Sequence, residues 1–146
     1  MMSSKTVRFN TIINVREHQK KQTTKELSQI SRQKKEETEK LSDMHDEHHD
    51  AMTSSFSSTR SKATDIQTNS AFIKRLATDI THQTTKVEKI RGQEEDKRVE
   101  LLERVKAKTV IEKLQERAKE EIRIDADKKE QNLLDTLGQR TVDKNA

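Results

Sequence analysis

Apolar residues return along this chain at alternating steps of three and four, the spacing that buries one stripe of a helix against a partner helix. Counting in sevens from Ile13 gives two core positions in the first half of the chain. The apolar members of that stripe are few: Leu27, Ile30, Leu41 and Met44. The pattern predicts a long helix here that needs a partner, because so narrow a stripe cannot form a core by itself.

The second half of the chain carries a richer stripe of the same kind. One core position holds Ile66, Ile73, Ile80, Val87, Glu94 and Leu101, and the other holds Leu76, Gln83, Ile90, Lys97, Arg104, Ile111 and Ala118. Beyond Leu101 the apolar residues fit a period of about 3.6 with interruptions better than strict heptads. This half predicts a second helix, whose partner is less regular toward its end.

A cluster of Ser and Thr residues separates the two stripes, between Thr53 and Thr64. Their hydroxyls compete for backbone hydrogen bonds, so we expect a turn at about 53–65. Helix one is then predicted at about 9–52 and helix two at about 66–137. Gly138 offers a stop, which leaves 138–146 as a frayed tail. The predicted fold is all-α, a single domain of two long helices in an antiparallel coiled-coil hairpin, with Met44 near Leu76.

Composition supports helices and excludes a globular core. Only 28% of the residues are hydrophobic and 38% are charged, and the chain has no Pro and two Gly. It has no Cys, and no apolar run approaches the roughly 20 residues that span a bilayer. We therefore expect a cytoplasmic protein without a signal peptide or membrane anchor.

The charges along the first helix are divided. Residues 1–35 carry a net charge of +7 and residues 36–50 carry −6. Opposite fields at two places along one helix indicate docking to partners rather than a uniform surface for polyanions. Since no aromatic residues are interleaved with the basic ones, we expect no nucleic-acid binding.

The only string with candidate chemistry is MHDEHHD, residues 44–50. His45 and His49 are four residues apart, which lets two imidazoles meet one metal ion on a helix. No third ligand and no enclosing pocket are evident, so solvated or partner-facing histidines are the better interpretation. Gly-rich phosphate loops are absent from the sequence. We predict no metal, no cofactor and no enzymatic activity.

Phe72 indicates a docking surface. It lies beside the core stripe and one helical turn before Leu76. The predicted fold-back brings His49 opposite Phe72 and His45 opposite Leu76, so these four residues are candidates for one patch. The alternative, equally open, is that Phe72 merely widens the apolar stripe near the turn.

Three stretches resemble the FliJ family, a small coiled-coil component of the bacterial flagellar type III export apparatus. They are RFNTIINVRE at 8–17 followed by HQKKQ, Phe72-Ile-x-x-Leu76-x-x-x-Ile80, and EKLQER at 112–117 with Glu130-Gln131-x-x-Leu134-Asp135 and Gln139-Arg140. Length and layout agree over nearly the whole chain.

The resemblance implies a hairpin similar to the central stalk of rotary ATPases. Such a protein binds the flagellar export ATPase ring and the cytoplasmic part of the export gate, promotes ring assembly, couples it to export and assists export chaperones. It is peripheral at the cytoplasmic face of the inner membrane, through its partners alone. Family residues of the gate-binding patch match at Phe72 and Leu76, whereas His45 and His49 replace aromatic residues. The alternatives are a stalk protein of a virulence secretion system, a generic coiled-coil scaffold, and a nucleic-acid-associated protein.

Overall fold

A computed structural model of the chain describes residues 4–57 and 62–145. The described residues form two helices, α1 (Ser4–Ser57) and α2 (Ala63–Lys144), with no strand between them. The helices pack against each other as a hairpin. The predicted fold class is therefore confirmed.

The Ser/Thr cluster is largely helical, where the sequence predicted a turn. Thr53, Ser54 and Ser55 each donate a side-chain hydroxyl to the carbonyl oxygen four residues earlier, at 2.7–3.0 Å. Such bonds satisfy the hydroxyls without removing the helical backbone bonds, so α1 continues to Ser57. Residues 58–61 of the predicted turn lie outside the described residues.

The far end of α2 also differs from the prediction. The helix passes through Gly138 and reaches Lys144, where the sequence predicted a tail. Gly138 does not adopt a positive φ, so it does not form the left-handed cap on which the predicted stop depended. A single Gly costs a helix roughly 1 kcal/mol relative to Ala, which the residues on either side are able to offset.

The helices contribute to two compact units. The central unit comprises Gln22–Leu101, and the terminal unit comprises Met1–Lys21 together with Leu102–Ala146.

In the central unit the burial pattern follows the predicted heptads. Residues that are buried or half-buried recur at steps of three and four: Thr23, Leu27, Ile30, Lys34, Glu37, Leu41, Met44, His48 and Ala51 on α1, and Ile73, Leu76, Ile80, Gln83, Val87, Ile90, Glu94, Lys97 and Leu101 on α2. The most deeply buried apolar side chains are Ile90, at 4% exposure, and Leu76, at 7%. Both predicted stripes are therefore core stripes, except that Ile66, which was predicted in the second, is 59% exposed.

Buried carboxylates alternate with these apolar residues. The Gln83 side-chain amide donates to the Glu37 carboxylate at 2.7 Å and to the Glu37 carbonyl oxygen at 2.9 Å. Glu94 accepts a bond from Lys34 across the two helices. Because Glu37 and Gln83 lie equally far along the sequence from residue 60, their pairing agrees with the predicted fold-back. Polar pairs of this kind favour one alignment of the helices over its neighbours.

The Glu37 carboxyl should make the central unit sensitive to acid. Bonds from Gln83 first, then from Lys40 and Lys86, lower the pKa of Glu37 to about 2. A lowered folded-state pKa stabilises the fold fully above the ordinary value of 4.5, and this contribution is lost as the pH falls toward 2.

We therefore expect the thermal midpoint of the wild-type protein to fall by roughly 5 °C or more over that interval. Glu37→Gln, which has no carboxylate to protonate, should show a smaller fall over the same pH range. Circular dichroism melts of both proteins make the comparison. Equal falls in the two proteins would assign the acid sensitivity to other groups.

In the terminal unit polar side-chain contacts join the helices beside half-buried apolar residues such as Phe9, Ile13 and Ile111. Lys108 pairs with Glu17 at 2.6 Å, Arg104 donates to Gln19 at 3.2 Å, and Gln115 donates to Asn10. The residues Arg104, Lys108, Ile111, Gln115 and Ala118 are half-buried.

From Arg104 to Ala118 the half-buried residues thus follow the heptads, where the sequence predicted a drift to a 3.6 period. Val110 and Leu114, which suggested the drift, are 55% and 42% exposed. Asn10, Glu17 and Gln19 of α1 accept hydrogen bonds from α2, and these pairs favour the observed alignment of the two helices. Within the described residues, neither helix contains a stretch long and apolar enough to cross a bilayer.

Candidate functional site

Phe72 and Leu76 lie on the same side of α2, one turn apart. Leu76 is buried between the helices, whereas Phe72 is 42% exposed. Of these two residues, therefore, only Phe72 presents apolar surface to a partner, while Leu76 packs in the core one turn away. An exposed aromatic ring above a packed aliphatic residue has the character of an interface anchor.

The flank of the hairpin that carries Phe72 is identified by two lysines. Lys40 and Lys86 both reach the buried Glu37, so they lie on one side of the contact between the helices. Phe72 precedes Lys86 by two heptads and occupies the same helical position. The docking flank, as we name this side, therefore carries Phe72, Lys40 and Lys86.

His45 and His49 lie toward the other flank. Met52 and Ser70 line one cleft between the helices, and His45 precedes Met52 by one heptad. His49 is one turn after His45, farther from α2, and both histidines are exposed. The structure brings Phe72 together with Leu76 but does not join them to the two histidines in one surface.

The distal segment of α2, residues 119–144, is a second candidate for docking. Every residue in it is exposed, although the helix continues without a break. Ile122, Leu133 and Leu137 are 47%, 60% and 49% exposed. These side chains continue the face of α2 that packs on α1 earlier in the terminal unit, and within the described residues α1 does not extend along them.

The sequence profile of the flagellar FliJ protein matches residues 4–146. The chain belongs to the FliJ family. No curated protein and no solved structure gave a match. Membership makes the chain a component of the flagellar export apparatus, and FliJ proteins are structural components of export rather than known enzymes.

The ionisable groups of this FliJ-family chain stabilise contacts between and along its helices. The pKa values of Glu17, Glu37 and Glu94 are lowered, mainly because Lys108, Gln83 and Lys34 respectively donate hydrogen bonds to them. The pKa of Lys108 is raised by Glu17 for the same reason. These shifts reflect stabilisation of the charged forms by their partners, so the pairings contribute to the stability of the fold while both groups are charged.

Two features of this FliJ-family chain were missed from sequence. The opposite flanks of Phe72 and His45 follow from heptad positions, but residue separation alone had placed them together. The distal segment was predicted as the end of helix two, with the helix ending at Leu137 instead of Lys144. The apolar Val142 and the absence of Pro after Gly138 were the signals that could have extended the prediction.

Proposed function

We propose that this chain is a docking protein of the flagellar export apparatus that binds both the export ATPase ring and the cytoplasmic part of the export gate. By doing so it promotes assembly of the ATPase ring, couples the ring to export and assists the cycling of export chaperones. The match to the FliJ family over residues 4–146 is the observation that carries the proposal. The same match favours the flagellar apparatus over a virulence secretion system.

The distal segment of α2 suits engagement of the ATPase ring. It exposes apolar residues among charged ones within a single uninterrupted helix, and Ile122, Leu133 and Leu137 lie toward one side of it. An amphipathic helix can place such a face into a complementary groove of a partner. Every side chain of the segment is exposed, so its apolar residues are available to the ring.

The docking flank suits engagement of the export gate. Phe72 supplies an exposed aromatic anchor, and Lys86 supplies an exposed cation two heptads away on the same side. Gate binding by His45 and His49 requires a partner that also reaches the other flank. We therefore assign the larger share of gate affinity to Phe72.

Leu133→Asp tests whether the distal segment binds the ATPase. Leu133 is 60% exposed, so the substitution should leave helicity unchanged. If the apolar face contacts the ring, the concentration of chain that half-saturates stimulation of ATP hydrolysis should rise at least about tenfold, equivalent to about 1.4 kcal/mol. The measurement is the hydrolysis rate of the purified export ATPase as the chain is titrated in.

Gln131→Asp is the matched control, because it adds the same charge on the other side of the same helix. It should leave stimulation close to that of the wild-type chain. An equal loss in both variants would indicate a general charge effect. No loss in either variant would place the ATPase contact outside this face.

A further inference from the structure

The outward strip of α1 in the central unit carries an ordered set of charges. We define it as Lys25, Arg32, Glu39 and Asp46, which are spaced by seven residues and so lie along one line of the helix. All four side chains are exposed. Each residue of the line lies midway in sequence between two core positions, as Arg32 does between Ile30 and Lys34. Such positions are on the side of α1 opposite to its core stripe, so the line faces away from α2.

These charges are little used within the chain. Arg32 pairs with Glu36 at 3.2 Å, but the two side chains are 83% and 56% exposed. An exposed pair four residues apart contributes only about 0.3–0.5 kcal/mol. Within the described residues, Lys25, Glu39 and Asp46 have no ion-pair partner. The strip therefore keeps its charges available to another molecule.

The order of the charges is complementary to itself when reversed. In an antiparallel pair of two such strips, Lys25 of one copy lies opposite Asp46 of the other, and Arg32 lies opposite Glu39. A twofold axis repeats both pairs, so the contact is closed and involves the same surface of each copy. Two exposed residues flank the strip: Lys35 adds positive charge to the half with Lys25 and Arg32, and Asp43 adds negative charge to the other half.

Other alignments are less favourable. Sliding one copy by a heptad sets Arg32 against Arg32 of the other copy, and sliding it the opposite way sets Glu39 against Glu39. A parallel pair brings like charges together throughout. The charge order thus selects one orientation and one alignment, as charged positions do in coiled coils.

We propose that two copies of this chain associate antiparallel through the outward strip of α1, with the twofold axis between Lys35 and Glu36. The strip contains no apolar side chain, so the dimer is weak and is held together by charge. Salt controls it, because the screening length falls from about 30 Å at 0.01 M to about 3 Å at 1 M ionic strength.

Sedimentation equilibrium of the full chain tests the proposal at these two ionic strengths. We expect the average mass to rise with concentration toward twice the 17.0 kDa of one chain at low salt, and to return to one chain at high salt. A single-chain mass at every concentration in low salt overturns the proposal.

Two double variants of equal net charge test the alignment. Arg32→Glu with Glu39→Arg exchanges the charges of one pair, so dimer formation at low salt should be retained. Lys25→Glu with Glu39→Lys sets like charges together in both pairs, so the association constant should fall at least about tenfold. Circular dichroism confirms that both remain helical. Equal behaviour of the two variants, whether both associate or neither does, overturns the proposed alignment.

Discussion

Replacing Ile90 with Asp will unfold the central unit. Ile90 is 4% exposed and lies in the stripe along which α2 contacts α1. The substitution removes a buried aliphatic side chain and places a carboxylate in the core stripe, one turn before the buried Glu94. We expect the free energy of unfolding to fall by at least about 3 kcal/mol, a large part of the stability of a small domain. Loss of helical circular dichroism on heating or in urea measures it.

Val99→Asp is the control for this prediction. Val99 is 51% exposed in the same unit, so the same charge there should change the unfolding free energy by no more than about 0.5 kcal/mol. If Ile90→Asp is tolerated as well as Val99→Asp, the two core stripes do not face each other as described.

Phe72→Ala should weaken binding of the export gate without unfolding the chain. The side chain is 42% exposed and lies beside the core stripe, so its loss should lower stability without abolishing the helices. An interface anchor contributes more than about 1 kcal/mol, which corresponds to a rise of at least about fivefold in Kd. Titration of the purified variant against the cytoplasmic domain of the export gate gives Kd, and circular dichroism confirms the fold.

His45→Ala is the informative comparison, since His45 is exposed on the other flank. A small effect of His45→Ala beside a large effect of Phe72→Ala supports the docking flank. The reverse order would move the gate contact to the histidine side. Leu76→Ala does not discriminate, because truncating a buried Leu costs about 2–5 kcal/mol of stability whether or not the gate touches it.

Heptad spacing predicted the core of the hairpin well because, in a pair of helices, the position of a residue in the heptad determines whether it faces the partner helix. The positions of Leu76 and Ile90 in the core follow directly from counting in sevens. The same counting places Glu37 and Gln83 in the core, where they are buried and bonded to each other. Polar residues at these positions were therefore part of the core pattern and did not interrupt it.

Helix ends were predicted less well because they depend on local bonds that residue type alone does not determine. Ser54 and Ser55 favour turns on average, yet their hydroxyls here bond back along α1 and leave the helix intact. Gly138 permits a left-handed cap without requiring one. The division of Phe72 and His45 between two flanks was missed because residue separation was used in place of heptad position; the lysines that meet at Glu37 identify the flank in the structure.

Docking to both partners can be tested by mixing the purified chain with the export ATPase and the cytoplasmic domain of the export gate and separating the mixture by size. We expect the chain to co-migrate with each partner alone, and one species to contain all three when they are mixed. The Leu133→Asp variant should lose the ATPase from that species, and Phe72→Ala should lose the gate domain. A correctly folded chain that elutes alone from both partners would contradict the account.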